Sequence, residues 1–184
     1  RDSRYTDWGN YYPYRTLRNL WQLSHYVPAE KIQVEFLNKW RNVERYPSKD
    51  IFAPSHYSFE YLFAITMAAQ PLAWMEAGNL PNEAFKIAGL VATYRQIQHD
   101  FHQGMILPIG EEPSGRSWTG FQSILSDTNG YIIAYRENNE RASAKMKTYL
   151  PVGKQVKLKK ICGSGQTYMG TVQENGMLEF SLPD

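Results

Sequence analysis

Residues 104–121 read Gly104-Met-Ile-Leu-Pro-Ile-Gly-Glu-Glu-Pro-Ser-Gly-Arg-Ser-Trp-Thr-Gly-Phe121, and the texture of the chain changes there. From this stretch onward, Gly and Asn turns separate short apolar runs at 105–109, 118–124, 131–136, 144–150, 155–161, 167–172 and 177–182. Thr128-Asn129-Gly130 and Glu174-Asn175-Gly176 are hairpin signals. Short strands with a turn every eight to twelve residues or so predict an antiparallel β-sandwich over 104–184.

Before that stretch the period is helical. Pro13 suits the first position of a helix over 12–26, Leu17, Leu20, Trp21 and Leu23 form its apolar stripe, and Pro28 stops it. Lys31-Ile-Gln-Val-Glu-Phe-Leu37 alternates with period two and predicts a strand. Ser55 is the expected cap of a second helix over 57–69, and 70–76 reads as a short buried strand. A third helix is expected over 82–102. Alternating strands and helices imply a parallel sheet. Two strands cannot close a barrel, so residues 1–103 read as the end of a larger α/β domain. Ile32, Val34, Leu72 and Trp74 are then expected to lack neighbours, which implies self-association or a complementary N-terminal segment.

Composition narrows the function. With 184 residues, 42% hydrophobic, a packed core is expected. A net charge of +2 gives no field for nucleic acid, and the Lys154–Lys160 run reads as one solvated strand face. A single cysteine, Cys162, excludes an internal disulfide and a cysteine metal cluster. No apolar run approaches the roughly 20 residues of a membrane span, and any signal peptide is expected upstream. Thirteen Tyr and five Trp suit flat, hydroxylated ligands such as sugar rings, although most such rings serve cores.

The chain opens on its most polar loop, Arg1-Asp-Ser-Arg-Tyr-Thr-Asp-Trp-Gly-Asn10, directly before the first helix. In an α/β barrel, a loop between a strand and its helix lies on the catalytic face. Asp7 beside Trp8 is either a partly desolvated acid or, with Arg4, a plain ion pair at a helix start. Asp2 is the same kind of group with less context. Glu35, on the polar face of the first strand, is expected to be paired. Asn38 and Trp40 follow that strand onto the same rim, where Trp40 either stacks on a sugar or anchors its loop. The histidines show no metal spacing, His99 and His102 reading as a helix-end pair. Residues 113–117 resemble a phosphate loop only superficially and read as a turn.

Taken together, Arg4-Tyr-Thr-Asp-Trp8, the element order and 104–121 resemble the α-galactosidase and raffinose-synthase-like glycoside hydrolases, the melibiase group. The resemblance implies the last third of a (β/α)8 barrel (1–103) followed by an antiparallel β-sandwich (104–184). It implies that Asp7 is the acid/base, with Asp2 as the alternative alignment, and that Arg4, Trp8, Asn38 and Trp40 bind substrate. Thr6 stands where the group has Ser, and Trp8 where it has a second Asp. The nucleophilic Asp of such retaining enzymes, about 5–5.5 Å from the acid, comes from an earlier strand. By this resemblance the complete protein cleaves α-galactoside-like bonds without metal or cofactor, the 184 residues alone being inactive, in a periplasmic or secreted bacterial setting. The alternatives are a catalytically dead homologue and a non-catalytic carbohydrate-binding or interaction module.

Overall fold

The computed structural model describes residues 11–73, 75 and 77–183; the expectations for Asp2, Arg4, Asp7, Trp8 and Trp74 therefore lie outside the described residues. The chain is mixed helix and sheet, with several antiparallel sheets after Gly104.

Helix α1 (Pro13–Leu23) begins on its proline and buries Thr16, Leu17 and Leu20. The helix ends where the Ser24 hydroxyl donates to the Trp21 carbonyl at 2.8 Å. Strand β1 (Gln33–Phe36) follows a 3-10 turn at Ala29–Lys31. Helix α2 (Phe59–Ala64) is shorter than expected and is capped by Ser58 rather than Ser55, the Ser58 Oγ accepting from Tyr61 N at 3.1 Å. Ser55 falls instead inside the 3-10 turn Pro54–His56. Strand β2 (Gln70–Ala73) pairs with β1 in parallel, Gln33 opposite Gln70 and Phe36 opposite Ala73. A 3-10 segment (Asn82–Ile87) leads into α3 (Ala88–Gln103).

Strand β2 is not buried as its apolar run suggested: Leu72 is half-buried and Gln70 and Ala73 are exposed. Its backbone explains the tolerance for Pro71. Gln70 N donates to Ile32 O at 2.8 Å, so Leu72 shares the side facing β1 and Pro71 falls on the outer side, where no donor is used. The expected under-burial of Ile32 and Val34 is also corrected, since both are buried. They share a core with Leu17 and Leu20 of α1, Ile65, Ala68 and Ala69 after α2, and Phe101 of α3.

Strands β3 (Met105–Gly110), β4 (Trp118–Ser126) and β5 (Asn129–Arg136) form an antiparallel sheet in sequence order. Alternation gives it two working faces. Ile106, Phe121 and Tyr135 point to the helices and complete the core just described. Ile109 and Trp118 point the other way, where β6 (Ser143–Lys147) and β9 (Met177–Ser181) cover them with Met146, Leu178 and Phe180. The pair β7 (Gln155–Leu158) and β8 (Tyr168–Thr171) borders β9, the Tyr168 hydroxyl donating to the Glu179 carbonyl. Gly104 lets α3 pass directly into β3, because a Cβ there would come within 2.1 Å of Ser123 Oγ, itself bonded to the Phe101 carbonyl at 2.6 Å.

Candidate functional site

Parallel pairing sends the C-terminal ends of β1 and β2 in one direction, so the segments that follow them meet. After β1 the chain turns at Asn38: its Oδ1 accepts from Trp40 N at 3.1 Å and its carbonyl accepts from Arg41 N at 3.0 Å. That local turn holds Asn38 and Trp40 together just after β1.

Between them lies Lys39, which is buried. Its ammonium donates to the Tyr57 carbonyl at 3.0 Å and lies 3.4 Å from Glu83 Oε2. It also sits 4.9 Å from the centre of the Trp40 ring and 5.3 Å from that of Phe59, so the charge is held by a carboxylate, a carbonyl and two π faces. Glu83 comes from the 3-10 segment after β2. Its second oxygen accepts the Trp40 indole N–H. That hydrogen bond first, and Lys39 second, hold the Glu83 carboxyl below the usual carboxylate range. Trp40 is thus fixed at its polar edge while 46% of its surface remains exposed. Glu83 is also one wall of a groove lined otherwise by Ser58, Phe59, Glu60, Lys86 and Ile87.

A smaller depression lies toward the start of α1, lined by Tyr11, Leu37, Asn38, Arg41, Asn42, Tyr46 and Pro54. The Tyr46 hydroxyl donates to the Tyr11 carbonyl at 2.8 Å, and the Tyr12 hydroxyl donates to Asp50 Oδ2 at 2.7 Å. The bond to Asp50 is the main reason the Tyr12 phenol is pushed up to about 12. Burial raises Tyr11 well above the ordinary phenol range.

Two motifs set aside from the sequence have structural roles. His102 stands 3.2 Å from the Met67 carbonyl through Nε2 and 3.2 Å from Gln70 Nε2 through Nδ1, which assigns the neutral ring with its proton on Nε2. No group of three or more potential ligands suited to a metal occurs among the described residues. The turn at 113–117 directs three N–H groups, from Ser114, Gly115 and Ser117, at Glu137 Oε2, at 2.9, 2.8 and 2.9 Å. The turn expected at 113–117 is closed on the chain's own carboxylate.

Sequence reasoning missed Lys39 and Glu83. A lysine between two rim residues carries no mark of burial, and Glu83 is simply an acid in a first helical turn. The one available signal was the proximity of both to expected strand ends. No helix is long and apolar enough to cross a membrane among the described residues. No protein-family model, no curated protein and no solved structure matches the chain.

Proposed function

We propose that these residues are the C-terminal portion of a glycoside hydrolase acting on α-galactoside-like bonds. In this reading β1 and β2 are the last strands of a (β/α)8 barrel and residues 104–184 form an antiparallel β-sandwich. The observation that carries it is the exposed indole of Trp40, pinned through its N–H to Glu83 at the C-terminal ends of two parallel strands. That is the end at which barrel enzymes bind their substrates, and a fixed aromatic face suits the C–H side of a sugar. The loop ends add donors and acceptors of both signs and no large charge imbalance, which suits a neutral polyhydroxylated substrate.

Asp7 is then the general acid that protonates the leaving oxygen and afterwards deprotonates the attacking water, with Arg4 and Trp8 shaping its surroundings and Asp2 as the alternative acid. The test is Asp7→Asn in the full-length protein. Hydrolysis of glycosides with poor leaving groups is expected to fall far more than that of activated aryl glycosides, and azide is expected to restore part of the rate. Equal loss on both substrate types with no azide effect would remove Asp7 from the role and make Asp2→Asn the next variant.

A further inference from the structure

Residues 141–173 contain seven cations, Arg141, Lys145, Lys147, Lys154, Lys157, Lys159 and Lys160, and no carboxylate. The rest of the chain has 13 Lys and Arg against 18 Asp and Glu, so the net charge of +2 conceals a basic segment on an acidic remainder. All seven cations are exposed, and none lies within ion-pair reach of a carboxylate among the described residues.

The fold makes a platform of that segment. Val156 and Leu158 of β7 pack inward on the Met146, Leu178 and Phe180 core. Gly170 of β8 lets the ribbon sit down on Leu178, whose Cδ1 would be 2.8 Å from a Cβ there. Alternation then sends Gln155 and Lys157 outward, with Met169 the register partner of Lys157. Hydrogen bonds tie the two chains past both ends of the ladder. Gly153 N donates to Val172 O at 2.8 Å, and Lys160 N donates to Thr167 Oγ1 at 3.0 Å. Lys154, Lys159 and Lys160 are therefore carried on the same ribbon. Lys145, by contrast, faces Glu179 across the β6–β9 pair.

Among these cations stand apolar side chains that the core does not use. Met169 is 61% exposed and Val152 59%, and Tyr149 and Ile161 are exposed as well. Lysines on a short edge strand deter unwanted strand pairing, but that role needs no thioether or aliphatic group between them. A nucleic-acid backbone would engage the ammoniums and leave those apolar groups in water, and the segment brings only one arginine to it. An anionic bilayer satisfies both kinds of group. Its headgroup phosphates accept from the lysines, and the apolar side chains enter the boundary beneath them.

We infer that the outer face of the β7–β8 ribbon, with the turn before it, is a docking surface for an anionic lipid bilayer. Lys154, Lys157, Lys159 and Lys160 meet the headgroups while Met169 and Val152 enter the interface. The contact is peripheral and stands apart from the hydrolase reading. The acidic remainder of the chain is repelled by the same surface, which holds the protein in one orientation.

The experiment is co-sedimentation of the full-length protein with vesicles of phosphatidylcholine alone, or of an equal mixture with phosphatidylglycerol, in about 0.1 M salt. Binding is expected to the mixed vesicles only. Replacing Lys157, Lys159 and Lys160 together by Gln is expected to weaken it about hundredfold, each lysine near a charged surface supplying about a fivefold factor. Lys31→Gln, Lys49→Gln and Arg95→Gln together remove as much charge from residues 1–103 and are expected to change binding less than about twofold, because screening confines the effect to nearby charges. Met169→Ser with Val152→Ser is expected to cost about tenfold and to leave the salt dependence unchanged. All eight positions are exposed, and matching circular dichroism of the variants checks that each is folded. Absence of binding to the mixed vesicles, or equal losses in the two triple variants, would overturn the proposal. So would binding that the apolar pair leaves unaltered and that double-stranded DNA displaces, which would make the ribbon a site for polyanions rather than for lipid.

Discussion

Replacing Glu137 separates the hydrogen bonds it accepts from the charge it buries. Only 5% of the residue is exposed, and one carboxylate oxygen gathers the N–H groups of Ser114, Gly115 and Ser117 while the other is buried without a hydrogen-bond partner. The loop cannot easily move to find other acceptors, because a Cβ on Gly115 would stand 2.6 Å from the Phe52 ring and its φ is +90°. Glu137→Ala would strand three donors at about 1–3 kcal/mol each. Water can reach the exposed neighbours Ser114 and Arg116, so the lower end applies and the expected loss is about 3 kcal/mol. Glu137→Gln keeps an acceptor oxygen without the charge, and its cost is expected to be about 1 kcal/mol. The pH dependence has a definite sign. Burial first, opposed by the three N–H groups and Arg18, raises the folded carboxyl above its ordinary value. A raised carboxyl contributes stability that is complete below the unfolded value of about 4.3 and disappears as pH rises through the folded one. The glutamine has no such loss, so its disadvantage against the native chain should shrink from about pH 4.5 to about pH 8. Urea denaturation of the three proteins at both pH values measures this. If glutamine and alanine cost the same, or the glutamine penalty grows with pH, the reasoning is wrong.

Leu17→Ala empties a fully buried position in the core shared by α1, β1, α3 and the β3–β5 sheet. A loss of about 2–5 kcal/mol is expected, and circular dichroism and tryptophan fluorescence should report one coincident transition because helices and sheet share that core. His102 is held below its ordinary value by burial, against the pull of the Met67 carbonyl and Glu30. Its contribution to stability is therefore complete above the unfolded value of about 6.5 and lost as pH falls through the folded one. NMR titration of the ring should give a midpoint below 6.5 or so, and an elevated midpoint would refute the neutral, Nε2-protonated assignment.

The strands after Gly104 were legible because each is short, alternating and bounded by a turn residue, and these signals are local. Every run read from the sequence there overlaps an observed strand, from 105–109 against Met105–Gly110 to 177–182 against Met177–Ser181. Where the reading failed, the deciding partner lay far along the chain. The burial of Ile32 and Val34 was misjudged by asking only about missing sheet neighbours, whereas α1, residues 65–69, Phe101 and the β3–β5 sheet supply that core. Ser55 and Ser58 are equally good caps by composition, and only the 3-10 turn at Pro54–His56 decides between them. Likewise, Arg136-Glu137-Asn138 looks like the polar end of a strand until the β4–β5 register sets Glu137 beside Ser117, whose carbonyl accepts the Glu137 N–H at 3.1 Å.

The candidate site divides along the same line. The turn holding Asn38 and Trp40 follows a strand end, a local pattern, and it is a contact between residues two apart. Lys39 and Glu83 were missed, because their meaning comes from pairing across 44 positions. Yet the distant pair decides what the local one can do. Without Glu83 the indole of Trp40 would be an exposed ring with rotamers to lose on binding. With Glu83 the ring is already fixed, and Lys39, its ammonium drawn inward to the Tyr57 carbonyl, ties the loop after β1 to the start of α2. An exposed aromatic side chain is common on protein surfaces. One whose polar edge is bonded and whose ring lies over a buried cation has been placed by the fold, which is why the functional reading rests on Trp40 and its two partners.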